Sequence, residues 1–156
     1  MVSLRRNALS HYRHLLAVSA IFGASLCYAG SDFGTRAEAE ELAHAVIEIV
    51  ENDGIAAAVT AIIDPDGPFR HSRMGINLFG GSFVIADNRE PETVAADYSE
   101  TADLTGQLVW PIISAAADAQ DDAVLLWYHY DTQEHYTYHC FSLRADRDDG
   151  TVMVCR

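Results

Sequence analysis

The chain of 156 residues contains no lysine. Its cations are ten arginines, set against 23 aspartates and glutamates, which gives a net charge of −13. Such a surface repels nucleic acid and anionic lipid, so neither is expected as a partner. An acidic, lysine-free surface also fits a salty habitat, where dissolved ions screen the self-repulsion. Cysteine is scarce, at three residues, and no Cys-x-x-Cys pair accompanies them, so the usual spacing of a zinc site is missing. There is no Gly-x-Ser-x-Gly elbow and no phosphate-cradling glycine-rich loop. No apolar run reaches the roughly 20 residues that a membrane-spanning helix needs. Internal repeats, low-complexity tracts and domain linkers are also missing.

What is there begins with a processing signal. Arg5, Arg6 and Arg13 form a positive region, Leu15–Leu26 an apolar one, and Cys27-Tyr28-Ala29 ends on a small residue suited to cleavage. Residues 1–29 are therefore expected to be a signal peptide, with an uncleaved anchor as the alternative. Residues 30–156 are expected to be one exported domain, periplasmic or secreted and off the membrane once the signal is cleaved. All 23 acidic residues and seven of the arginines lie in that domain. Cys140 and Cys155 remain, and export permits a disulfide. They face each other if the last hairpin is centred between Arg147 and Asp148, with Leu143 opposite Val152. A tight Asp149-Gly150 turn would shift the register and separate them, leaving two buried thiols.

The spacing of apolar residues gives an element order. Thr35-Arg36-Ala37-Glu38 is a capping box opening a helix whose stripe is Leu42, Val46, Ile49 and Val50. Asn52-Asp53-Gly54 stops it. A shorter helix, Ile55–Ile63, ends at Pro65-Asp66-Gly67-Pro68. Two short strands, Ile76–Phe79 and Ser82–Ala86, follow around a Gly80-Gly81 turn, then a polar exit at Asp87–Glu92. Ala95–Gly106 reads as loop or broken helix, and Leu108–Gln120 as a helix with Pro111 near its start, where proline costs little. Three strands close the order: Val124–Tyr130, Tyr136–Arg144 and Thr151–Cys155.

Several of these segments resemble the single Cache domain, an extracytoplasmic sensor of PAS-like fold. They are the helix opening Phe33-Gly34-Thr35-x-x-Glu38-Ala39, Gly54-x-x-x-Ala58, and the two-strand unit at Ile76–Ala86. Asp103-Leu104-Thr105-Gly106 before a helix and the strand Trp127-Tyr128-x-Tyr130 complete the set. The resemblance spans Phe33–Cys155. It departs at Ala86-Asp87-Asn88, which lacks the family's frequent histidine, and at Cys155-Arg156, where a glycine–aromatic close is usual. It implies an α+β fold: a PAS-like antiparallel sheet of about five strands, with the long N-terminal helix on one face and the final strand beside the first. It further implies a pocket for a carboxylate or amino-acid-like metabolite on the other face, no catalysis, no cofactor, and output through a membrane receptor or kinase partner.

Tyr128, Tyr130, Tyr136 and Tyr138 alternate with Trp127, His129, Thr137 and His139. With the helix over one face, the other offers phenol hydroxyls and ring faces to a ligand; the competing reading is sheet packing by strong β-formers. Arg70 and Arg73, just before the first strand, are candidate anchors for a ligand carboxylate, since the guanidinium fork matches it; ordinary surface ion pairing is the alternative. Asn77, Phe79 and Trp110 complete the expected ligand contacts, with Tyr128, Tyr130 and Tyr138. His129, His135 and His139 beside Cys140 invite a metal, but His135 and His139 lie roughly 13 Å apart on an extended strand, so no metal site is expected. The acidic pairs Asp64/Asp66, Asp121/Asp122 and Asp148/Asp149 fall at turns, where aspartate bonds the local backbone. One rival is a cone-shaped α+β enzyme of the SnoaL-like kind, using Asp97, Asp103 or His129. Another is an accessory subunit binding a protein through its acidic face.

Overall fold

The computed structural model describes residues 33–129, 132 and 134–156. The expected signal peptide, residues 1–29, and Tyr130 lie outside the described residues. The element order is α1 (Arg36–Asp53), α2 (Ile55–Ile63), β1 (Gly75–Gly80), β2 (Phe83–Asp87), a short 3₁₀ turn (Pro91–Thr93), α3 (Val109–Ala119), β3 (Asp122–Tyr128), β4 (His135–Arg144) and β5 (Gly150–Cys155). The strands form one antiparallel sheet in the order β2-β1-β5-β4-β3. β5 thus lies beside β1 in the middle of the sheet, as the sequence resemblance implies. Among the described residues, no helix is long and apolar enough to cross a membrane.

The capping box forms as expected: the Glu38 amide donates to Thr35 Oγ1 at 3.2 Å, and the Thr35 amide to Glu38 Oε2 at 2.7 Å. Two orphan amides at the helix start are satisfied in this way. Ala39, Ala43, Val46 and Val50, at helical spacing, are buried against the sheet, while Leu42 and Ile49 flank them half-buried. With Ala58 and Ile62 of α2, they cover Ile76, Leu78, Phe141, Leu143, Val152 and Val154. α3 packs on the opposite face, laying Val109, Ile113 and Ala116 against Phe79, Val84, Ala123 and Leu125. Arg144 pins its far end, donating Nε to Asp118 at 2.8 Å and Nη2 to Ser114 Oγ at 2.8 Å.

The β1–β2 turn falls one residue later than the Gly80-Gly81 expectation. Gly80 pairs with Phe83, so Gly81 and Ser82 make the turn, and Gly81 adopts the left-handed φ of +61° that a tight hairpin needs. β2 also carries a bulge. Leu78 pairs with Ala86 but Phe79 pairs with Val84, which leaves Ile85 as an extra residue. Val84 therefore packs with the α3 side while Ile85 and Ala86 pack with the α1 side, and Asp87 returns to the α3 side opposite Asn77.

The last hairpin takes the register centred between Arg147 and Asp148, with Leu143 opposite Val152 and Cys140 opposite Cys155. His139 and Arg156 exchange both backbone hydrogen bonds, so the next rung, Cys140–Cys155, is the non-hydrogen-bonded kind in which facing side chains come closest. The two cysteines form a disulfide there. The tight Asp149-Gly150 turn is not used: Asp148 and Asp149 both take positive φ, and Gly150 bonds back to Ala145.

Candidate functional site

The face opposite α1 is only partly covered by α3, and the uncovered part is roofed by the segment from Ala95 to Gly106. That segment straps the sheet from edge to edge. At the β2 edge, the Ala95 amide bonds Val84 O, the Val84 amide bonds Ala96 O, and the Tyr98 amide bonds Ser82 O. At the β3 edge, the Leu104 amide donates to Leu126 O while Asp103 Oδ2 accepts from the Leu126 amide at 3.2 Å. Both unpaired edges are thereby blunted. At the end of the first attachment, Tyr98 reaches over the sheet toward Phe79 and Trp127.

Beneath Tyr98 lies a pocket of about 160 Å³. Its deep surface is apolar, made by Val109, Leu125, Met153 and the Cys140–Cys155 disulfide. Its walls are aromatic: Tyr98, Trp127 and Tyr138. Tyr98 lies 5.6 Å from Phe79 and 6.3 Å from Trp127 between ring centroids, and Phe79 lies 5.6 Å from Trp110. Such tilted pairs fix ring orientation as well as bury area. This volume lies below the range of pockets for drug-sized ligands and suits a small metabolite.

The polar side of the pocket is built around Asp87, which is 6% exposed. Its Oδ1 accepts from the amides of Arg89 and Glu90, both at 2.8 Å. Its Oδ2 accepts from Asn77 Nδ2 at 2.6 Å and Thr93 Oγ1 at 2.9 Å. Burial raises the pKa of Tyr98, and the negative charges of Asp87 and Glu90 push it the same way. Tyr138 is raised by burial, then by Glu90 and Tyr136, with Arg89 opposing. Three arginines also line the pocket. Arg73 Nη2 binds both Glu38 oxygens, at 2.7 and 2.9 Å. Arg156 grips both oxygens of Asp122, and Arg89 Nη2 donates to Ser72 O at 3.2 Å.

Of the residues expected to meet a ligand, Arg73, Asn77 and Tyr138 are brought together around this pocket, which Tyr128 borders although its side chain pairs with His135 on the other face. Arg70, Phe79 and Trp110 lie outside its lining. Arg70 Nη1 instead donates to Asn88 O at 2.9 Å, while Phe79 and Trp110 stand behind Tyr98 and brace it. The tyrosines divide between the two faces of the sheet. β3 and β4 pair Leu125 with Tyr138, Trp127 with Tyr136 and Tyr128 with His135, and cross-strand partners share a face. Tyr136 and Tyr138 therefore stand with Trp127, and Tyr128 with His135, whose ring it meets edge-on at 4.5 Å.

His129 lines the pocket beside Tyr136, and its Nδ1 is shielded from solvent without a hydrogen-bond partner among the described residues. His135 and His139 belong to the other face, and among the described residues no three His, Cys, Asp or Glu side chains converge as a metal site. The carboxylates of the rival enzyme reading serve local structure. Asp97 accepts from Ser82 Oγ at 2.6 Å and the Ser99 amide at 2.9 Å. Asp103 accepts from Thr105 and Gln107 as well as Leu126. These hydrogen bonds, Ser82 and Thr105 foremost, hold both pKa values below the usual carboxylate range.

Sequence reasoning did not single out Asp87, Tyr98, Trp127 or Arg156 as site residues. Asp87 reads as a polar strand exit, and only the bulge at Ile85 turns it toward the pocket. Tyr98 sits in a segment without period, placed by bonds to Ser82 and Trp110 that no local pattern encodes.

No family model and no curated protein matches this sequence. Solved structures do match its fold. A periplasmic sensor domain of a chemotaxis protein superposes with a TM-score of 0.60 at 15% identity, covering 77% of this chain and 92% of that one. A methyl-accepting chemotaxis protein from Vibrio parahaemolyticus RIMD 2210633 gives a TM-score of 0.56 at 10% identity, covering 77% and 81%. The five-stranded antiparallel sheet with helices packed on it is thus a fold shared with these two structures.

Proposed function

We propose that this chain is a periplasmic sensory domain of the single Cache kind, which binds a small amino-acid-like or carboxylate metabolite and performs no chemistry on it. The observation that carries this reading is the pocket on the face opposite α1, walled by Tyr98, Trp127 and Tyr138 and edged by Asn77, Asp87 and Thr93. An apolar floor with a few convergent polar groups is the usual composition of a metabolite site. For a ligand carboxylate, Arg89 is the nearest candidate anchor, because its guanidinium meets a backbone carbonyl where Arg73 and Arg156 meet carboxylates. No lining residue is given a catalytic role: the Asp87 oxygens already accept four hydrogen bonds. Occupancy would be passed to a membrane receptor or kinase partner.

The test is a thermal-shift screen of the purified protein against amino acids, amines and organic acids, with calorimetry on any compound that raises Tm. Binding that is lost in Trp127→Leu and Tyr138→Ala is the expected result. A broad panel without a single binder would overturn the reading.

A further inference from the structure

Resting on that assignment of the pocket, we infer that it selects its ligand by an ammonium group, seated among the rings of Tyr98, Trp127 and Tyr138 in the field of the nearby Asp87 and Glu90 carboxylates. Four observations lead there. First, the aromatic faces are preassembled. Tyr98 and Trp127 stand 6.3 Å apart, with Phe79 against Tyr98 and Trp110 against Phe79, and a ring face attracts a cation through its quadrupole.

Second, Asp87 cannot turn away from the pocket, because Asn77, Thr93 and the amides of Arg89 and Glu90 fix both its oxygens. Third, beyond the effect of burial, the negative charges of Asp87 and Glu90 oppose ionisation of Tyr98, and Glu90 opposes that of Tyr138 with Arg89 acting the other way. Negative potential at a phenol oxygen repels a ligand carboxylate and draws in a cation.

Fourth, most of the positive charge around the pocket is already matched. Glu38 closes Arg73, and Asp122 closes Arg156. Arg89 acts in the opposite sense on Tyr138 and is the place where a ligand carboxylate, if present, would rest. A carboxylate is therefore accepted at the exposed rim, whereas the ammonium occupies the aromatic interior. An amine without a carboxylate should bind, and an acid without an amine should not.

The experiment uses matched sets of four- to six-carbon chains bearing an amine only, a carboxylate only, or both, titrated calorimetrically into the purified protein. The expected order places amine and amino acid together, with the acid weaker by about tenfold or more. Trp127→Leu should weaken the amine about tenfold, and Glu90→Gln about threefold. Glu90 is exposed, so its replacement tests the inference even where the Trp127 variant fails to fold. Acids binding as tightly as amines, or amine affinity unchanged in Glu90→Gln, would overturn the ammonium seat while leaving the sensory site intact. Failure of all three classes to bind would overturn the site itself.

Discussion

Arg156 holds both carboxylate oxygens of Asp122, Nη1 to Oδ1 at 2.9 Å and Nη2 to Oδ2 at 2.6 Å, with side chains 15% and 14% exposed. The pair ties the central strand β5 to the edge strand β3 across β4. Asp122→Asn keeps the shape and removes the charge, leaving the guanidinium half-matched. Stability should fall by roughly 1.5–3 kcal/mol, the range for a hydrogen bond to a charged group. The corresponding drop in Tm, about 5–10 °C, is readable by circular dichroism. A melt identical to the parent protein would show that the contact contributes nothing.

The same carboxylate sets a pH dependence. Asp122 is held below its usual range chiefly by the Arg156 hydrogen bonds, Glu38 by Thr35, Asp97 by Ser82 and Asp103 by Thr105. A carboxyl with a lowered folded-state pKa adds stability that is complete above its unfolded value, about 4, and is lost as pH falls through the folded value. Tm should therefore change little on this account between about pH 5 and 7 and drop steeply below about 4. In Asp122→Asn the acid limb should be shallower. A Tm that rises on acidification below that range would contradict the sign.

The disulfide closes a sequence separation of 15 residues. A loop of that size is worth about 3 kcal/mol in chain entropy. Cys155→Ser, or reduction with a thiol, should lower Tm by about 10 °C. Peptide mapping of the unreduced protein should recover the Cys140 and Cys155 peptides as one species. Recovery as separate thiol peptides would contradict the observed register.

Asp103 caps the outer edge of β3 by accepting from the Leu126 amide. Asp103→Ala removes that acceptor and also loosens Thr105 and Gln107. An apolar strand with a freed edge is a template for pairing with other chains. The expected outcome is concentration-dependent association in light scattering, at temperatures where circular dichroism still reports a folded protein. A strictly monodisperse variant would assign the edge protection to Leu104 instead.

With no lysine and a formal charge of −13, self-repulsion opposes the folded state at low ionic strength. The Debye length falls from about 10 Å at 0.1 M salt to about 3 Å at 1 M. Tm should rise over that range. A flat response would remove the salt-adapted reading of the surface.

How far the sequence disclosed all this depended on the distance between cause and effect. The α1 cap is written in four consecutive residues, and its geometry follows from Thr35 and Glu38 alone. The Cys140–Cys155 pairing was legible as one of two registers, set by whether the hairpin is centred between Arg147 and Asp148 or on a tight Asp149-Gly150 turn. The aromatic wall was not legible. Alternation alone sets Tyr128 on the face opposite Trp127, but whether Tyr138 shares the Trp127 face is fixed by the β3–β4 pairing, which a turn of unknown length leaves open. The arginine partners were hidden for the same reason: Arg73 meets Glu38 and Arg156 meets Asp122 at separations of 35 and 34 residues.

The bulge at Ile85 bears on how this protein tolerates change in length. β2 contains one residue more than alternation between faces requires. Shortening it by removing Ile85 would leave Val84 and Asp87 pointing where they already point, at the loss of one half-buried side chain. Lengthening the strand by a residue would instead demand a second irregularity or rotate Asp87 into the apolar layer beneath α1. In β2, a deletion is thus the milder lesion and an insertion the severe one, the reverse of what is usual at a loop.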